Sequence, residues 1–165
     1  REGGALLTLG IVGVLGGSLL AVVGRDDPGL LSFGLTTLSF GAINVPLGVG
    51  LLDLRHRGRA EALELTAANS DMVAERLAEW AESERWKRVS FVVNSGLDVL
   101  YIVTGALLVG LAGRTNRPAS ARGAGWAMVT QGAALLVYDL YGIAATTRRA
   151  RSLTGEALLD ETLLY

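Results

Sequence analysis

Four apolar stretches, each about the length a helix needs to cross a bilayer, constrain this chain more than anything else in it. They lie at residues 5–23, 30–54, 91–112 and 126–145. A span takes roughly 20 residues, so four of them consume most of the 165 and leave too little outside for a soluble catalytic domain. The pattern predicts an all-α, polytopic membrane fold forming one membrane domain. Its four transmembrane helices pair as two hairpins, with a helical extension at residues 55–89 between the second and third. The mean hydropathy of +0.40 agrees with this reading.

Several function classes are disfavoured at once. The net charge of −1 carries no polyanion-binding excess, so nucleic acid is not an expected partner. There is no cysteine, which removes disulfides, thiolate nucleophiles and Fe–S ligation. His56 is the sole histidine, so two histidines of one chain cannot hold a haem. No nucleophile–base pair, phosphate-binding glycine loop or zinc motif is legible, and Gly48-Val-Gly50 sits inside an apolar span with no strand before it. The expectation is therefore a non-enzymatic protein without cofactor or metal. Lys87 is the sole lysine among 15 basic residues, an arginine bias that hints at a GC-rich bacterial source.

The chain opens on Arg1, so a preceding segment is expected. The stretch at 5–23 is longer than a signal-peptide core and is read as a retained span. It contains Gly13 and Gly17, a small-xxx-small pair that lets two helix backbones approach closely in lipid. In the second span Gly34, Gly41 and Gly48 recur every seven residues, the period of a left-handed packing seam. Pro46 should kink that helix near Asn44, which either serves the freed backbone or faces a cavity.

Arg25–Gly29 reads as a turn broken by Pro28 and Gly29, and 114–125 reads as a flexible loop. The 55–89 segment is polar, with an apolar stripe of helical period through Leu63, Leu65, Met72, Val73, Leu77 and Trp80. Asn69-Ser70-Asp71 offers an N-cap, so a new helix is expected there, able to continue through Trp86-Lys87-Arg88 into the third span. Residues after Arg151, with Leu153, Ala157, Leu158, Leu163 and Leu164, read as a short tail able to lie on the membrane or on the helical extension.

Basic residues set the orientation. Seven lie in 55–89, three follow the fourth span and Arg1 joins them, against Arg25, Arg114, Arg117 and Arg122 on the other side. Both termini and the helical extension are expected in the cytoplasm, in a multi-pass protein of a bacterial inner membrane. A gapless slide of 91 residues superposes Gly34 on Gly125, Gly41-Ala42 on Gly132-Ala133 and Arg57 on Arg148, which suggests a parallel duplication.

The last two spans each carry one carboxylate. Asp98 and Asp139 lie four residues, about 6 Å at the helical rise, to the cytoplasmic side of their span centres, and Asn44 lies at similar depth. Asn94, Asp98, Tyr101 and Gly105 share one helix face, as do Gln131, Leu135, Tyr138, Asp139 and Gly142. A carboxylate in hydrocarbon costs roughly 2.5 kcal/mol or more, so both faces are expected to turn inward. Two close carboxyls cannot easily both ionise, which suits a proton relay or cation site. The alternative is structural: hydrogen bonds among these groups fix helix register.

The run Asn94-Ser-Gly-Leu-Asp-Val-Leu-Tyr101, with Gln131-Gly-Ala-Ala-Leu-Leu-Val-Tyr-Asp139, resembles a family of small four-helix bacterial membrane proteins of unknown function. Asn94, Gly96, Leu97, Asp98, Tyr101, Gln131, Gly132, Leu135, Leu136 and Asp139 carry the likeness, and Asn44-Val45 is similar to an element of that family's second helix. The first span departs from the pattern, lacking the tryptophan and asparagine expected near its middle. The resemblance implies the fold and no activity. Two functions are left in view. One is an integral subunit or scaffold embedded in the lipid bilayer, packing as a homo-oligomer or with other membrane-protein subunits. The other is a small proton- or cation-coupled transporter, or a channel-forming oligomer, using the intramembrane carboxylates.

Overall fold

The computed structural model describes residues 2–50 and 70–162, and every regular element among them is helical. In order these are α1 (Glu2–Val23), α2 (Pro28–Gly50), α3 (Ser70–Gly110), a 3-10 turn (Ala112–Arg114) and α4 (Pro118–Thr162). All four α-helices are long and apolar enough to cross a membrane. The expectations for 51–69, including the end of the second span, and for the last three residues fall outside the described chain.

Local chemistry explains the boundaries. Asp27 caps α2: its Oδ1 accepts the amides of Gly29 at 2.7 Å and Leu30 at 3.1 Å, and its carbonyl takes the first helical bond, from Leu31. Pro28 therefore opens the helix instead of breaking it, as proline's missing N–H allows at a first helical position. Pro118 does the same for α4, with the Arg117 carbonyl accepting from Ala121 at 3.0 Å. This corrects the expected loop over 114–125, of which only the part before Pro118 is non-helical apart from the short 3-10 turn. Met72 to Gly110 forms one uninterrupted helical stretch, so the segment around Trp86-Lys87-Arg88 is continuous with the third apolar run. Pro46 is likewise accommodated inside α2.

The chain divides into two compact units. The first contains α1, α2 and residues 94–138; the second contains α3 before Asn94 and α4 from Asp139.

In the first unit α1 and α2 run antiparallel, Leu7 facing Gly48 at one end and Ala21 facing Gly34 at the other. A Cβ added at Gly13 would lie 2.9 Å from the Gly41 Cα, and one at Gly34 2.5 Å from the Ala21 amide nitrogen. At Gly48 it would meet the Leu7 amide nitrogen at 2.5 Å, at Gly10 the Val45 nitrogen at 2.7 Å, and at Gly17 the Leu38 nitrogen. The two backbones touch, and only glycine permits it. The same device joins α3 to α4 within this unit: Cβ atoms at Gly105 and Gly125 would each collide with the other's carbonyl oxygen.

In the second unit Phe91 is buried on Gly142, whose missing side chain makes room for the ring. Thr146 is fully buried, and its hydroxyl donates to the Gly142 carbonyl at 2.8 Å, so burial leaves that donor satisfied.

Burial recurs every seven residues on each helix: Gly3, Gly10 and Gly17 on α1; Gly34, Gly41 and Gly48 on α2, with Thr37 and Asn44 between them. Glu84, Phe91, Asp98 and Gly105 follow it on α3, and Gly125, Gly132, Asp139 and Thr146 on α4. A seven-residue period keeps one stripe facing a partner only if helices cross with a left-handed twist.

Candidate functional site

The polar residues of interest lie on these buried stripes or beside them. In the first unit Asn44 and Asp98 are 5% and 4% exposed, and Tyr138 is buried. Opposite Asp98 stands Gly132: a Cβ there would lie 3.0 Å from the Asp98 carbonyl oxygen and 3.2 Å from the Tyr101 Cβ. The structure thus brings Asp98, Tyr101 and Gly132 together, with Gln131 half-buried next in sequence. Tyr101 is 38% exposed and meets Phe40 of α2 edge to face, ring centroids 5.2 Å apart. Asn94 is exposed. Asp139, in the second unit, is 4% exposed.

Asp98 and Asp139 are therefore each withdrawn from the surface within long apolar helices. Thr37 Oγ1 and Asn44 Nδ2 of α2 are also buried, without a hydrogen-bond partner. Buried polar groups of this kind are costly unless satisfied by protein, water or ligand. The packing glycines Gly13, Gly17, Gly34, Gly41 and Gly48 all lie where α1 and α2 meet. Among the described residues no cluster of histidine, cysteine, aspartate or glutamate could hold a metal ion.

The second unit contains a charged group that the sequence does not single out. Glu84 is buried, with Oε1 accepting from Lys87 Nζ at 2.6 Å and Oε2 from Arg149 Nε at 2.7 Å. The Arg149 bond spans 65 residues and ties α3 to α4 inside this unit. Burial alone would raise the carboxyl's pKa; the hydrogen bonds and positive charges of Lys87 and Arg149 outweigh it and hold the pKa below its ordinary value. The sequence signal was spacing, since Glu84 lies 14 residues before Asp98 on the seven-residue stripe.

A lowered folded pKa means that the charged form stabilises the fold above the ordinary glutamate value of 4.5, and that this contribution is lost as pH falls below it. Thermal unfolding followed by circular dichroism should show the midpoint dropping through that acid window. Glu84→Gln should cost about 1–2 kcal/mol at neutral pH, discounted because both cations are half exposed. It should also flatten the acid slope. An unchanged slope in Glu84→Gln would assign the acid sensitivity to other carboxylates.

No curated protein and no solved structure matches the chain. Residues 5–140, by contrast, match a family described as of unknown function, DUF6992. That match covers α1, α2, the central stripe of α3 with Asp98, and α4 as far as Asp139, so the chain belongs to the DUF6992 family.

Proposed function

We propose that this protein is a non-enzymatic, multi-pass subunit or scaffold of a bacterial inner membrane, packing with copies of itself or with other membrane proteins. The observation that carries the reading is the α1–α2 contact, where glycine brings backbone against backbone and leaves no solute-sized passage between the two helices. Such a contact supports a rigid packing element better than a conduit. The outer faces fit lipid or protein neighbours: Val12, Leu15, Leu19, Val22, Val93, Leu100 and Leu107 are all exposed. The exposed hydroxyls of Thr8, Ser39 and Thr130 turn back to carbonyls of their own helices, as a surface without water requires. In this reading the four spans form two helical hairpins. Both termini and the 55–89 extension face the cytoplasm, where eleven of the 15 basic residues would lie.

Protein reconstituted in lipid nanodiscs should give a native mass of more than one protomer, or of a protomer with a stoichiometric companion. A lone protomer at every dilution would overturn the proposal.

A second reading, proton- or cation-coupled transport, draws on the buried Asp98 and Asp139 and on the unpartnered Asn44 Nδ2. It requires proteoliposomes to take up protons down an imposed gradient, with uptake abolished by Asp98→Asn and by Asp139→Asn. For the scaffold, vesicles should leak no faster than empty ones, and both variants should keep the native mass.

A further inference from the structure

At the end of the first unit where α2 and α4 begin, the structure holds a cleft of about 670 Å³, a volume typical of small-molecule sites. The two helix starts approach closely there: a Cβ on Gly123 would collide with the Gly29 carbonyl oxygen, and one on Gly29 would lie 3.2 Å from the Ala119 carbonyl oxygen. The walls divide by chemistry. Arg25, Arg117, Ser32 and Ser120 supply cationic and hydroxyl donors, while Pro28, Pro118, Leu31 and Leu35 supply an apolar floor. Leu35 lies one helical turn beyond Leu31, about 6 Å further along α2, so the floor runs from the helix start into its apolar length.

The carboxylates near the cleft are accounted for. Asp27 Oδ1 is committed to capping α2. Asp26 meets Arg25 at 3.4 Å, but the two side chains are 90% and 79% exposed, a pair that solvent screens and an incoming anion can displace. A phosphodiester satisfies two guanidinium groups with short charge-assisted bonds. A free phosphate would leave the leucine floor bare; an acyl chain would cover it. We propose that this cleft binds an anionic phospholipid, its headgroup phosphate held by Arg25 and Arg117 and the start of an acyl chain lying on Leu31 and Leu35.

The inference rests on the membrane-spanning reading, and the two fail separately. If alkaline carbonate without detergent releases the protein from membranes, the spanning reading falls. If the protein stays in the membrane but shows no lipid preference, only the cleft assignment falls. In detergent, native mass spectrometry should show phosphatidylglycerol retained on the full chain in preference to phosphatidylcholine of the same acyl chains. The double variant Arg25→Gln/Arg117→Gln should bind phosphatidylglycerol about tenfold more weakly. Arg114→Gln/Arg122→Gln, which removes as much charge from the neighbouring segment outside the cleft, should retain wild-type affinity. Equal retention of the two lipids overturns the proposal, as does equal weakening in both double variants. Displacement of phosphatidylglycerol by millimolar inorganic phosphate would assign the site to the free anion and overturn the lipid. Should the cleft variant fail to fold, the wild type alone decides: phosphatidylglycerol must raise its unfolding temperature and phosphatidylcholine must not.

Discussion

Gly41→Leu is expected to destabilise the α1–α2 pair by about 3 kcal/mol, the upper end of ordinary overpacking. A Cβ at this position would lie 2.6 Å from the Gly13 carbonyl carbon, 2.7 Å from the Gly10 carbonyl oxygen, and against the Val14 amide nitrogen. None of these atoms can rotate away, because all belong to the backbone of α1. The only relief is to separate the helices, which also loosens the contacts at Gly34 and Gly48 one seven-residue step to either side. Leu15→Phe also enlarges a side chain, by less, but on an exposed position of α1, and should shift stability by less than about 0.5 kcal/mol. Loss of helix in mixed micelles of rising SDS content reads both variants. Equal stability of the two would mean that the glycine contact contributes no packing constraint.

The second large effect is expected at Phe91. Truncating its buried ring to alanine should cost about 3 kcal/mol, through lost packing and the space left over Gly142. The reciprocal change, Gly142→Leu, drives a side chain into ring carbons that would lie 2.6 Å from the new Cβ. A ring at the end of a side chain can move where backbone cannot, so Gly142→Ala should be milder than Gly41→Ala. The double variant Phe91→Ala/Gly142→Leu places new volume where the ring was removed. It should recover about 1–2 kcal/mol relative to the summed single changes. Strict additivity would show that Phe91 and Gly142 do not pack on each other in the folded protein.

These seams were unequally legible in the sequence. On α2 the seven-residue spacing of Gly34, Gly41 and Gly48 is visible because no other glycine stands between them. On α1 the glycines are so dense that the spacing is ambiguous: Gly13 and Gly17 suggest a four-residue pair, whereas burial also follows Gly3, Gly10 and Gly17. On α3 the stripe contains a glutamate, a phenylalanine, an aspartate and a glycine, which no single residue class would reveal. Glu84 was hidden for that reason, one acid among Glu79, Glu82, Arg85, Lys87 and Arg88. Helical-wheel reasoning groups Asn94 and Tyr101 with Asp98 because both offsets, four and three, lie within one broad face. Against a close partner the buried stripe is narrower: Ser95 and Ile102 are half-buried, while Asn94 and Tyr101 are exposed. The helix start at Pro118 is masked by the polar, glycine-containing run 114–125, and its one signal is proline's fitness for a first helical position.

The seven-residue burial repeat also limits how these helices can change length. One residue inserted between Phe91 and Asp98 would rotate everything beyond it by about 100°. Asp98 would leave the inner stripe and an apolar neighbour would take its angular place. Seven inserted residues would restore the angle almost completely, but would displace Asp98 along the axis by about 10.5 Å, away from Gly132 on α4. Rotational phase and axial depth are thus locked together, and no insertion short enough to preserve depth also preserves phase. Indels are tolerable only between helices, at 24–27 and 111–117 among the described residues, so this architecture can diverge by substitution far more readily than by changes in helix length.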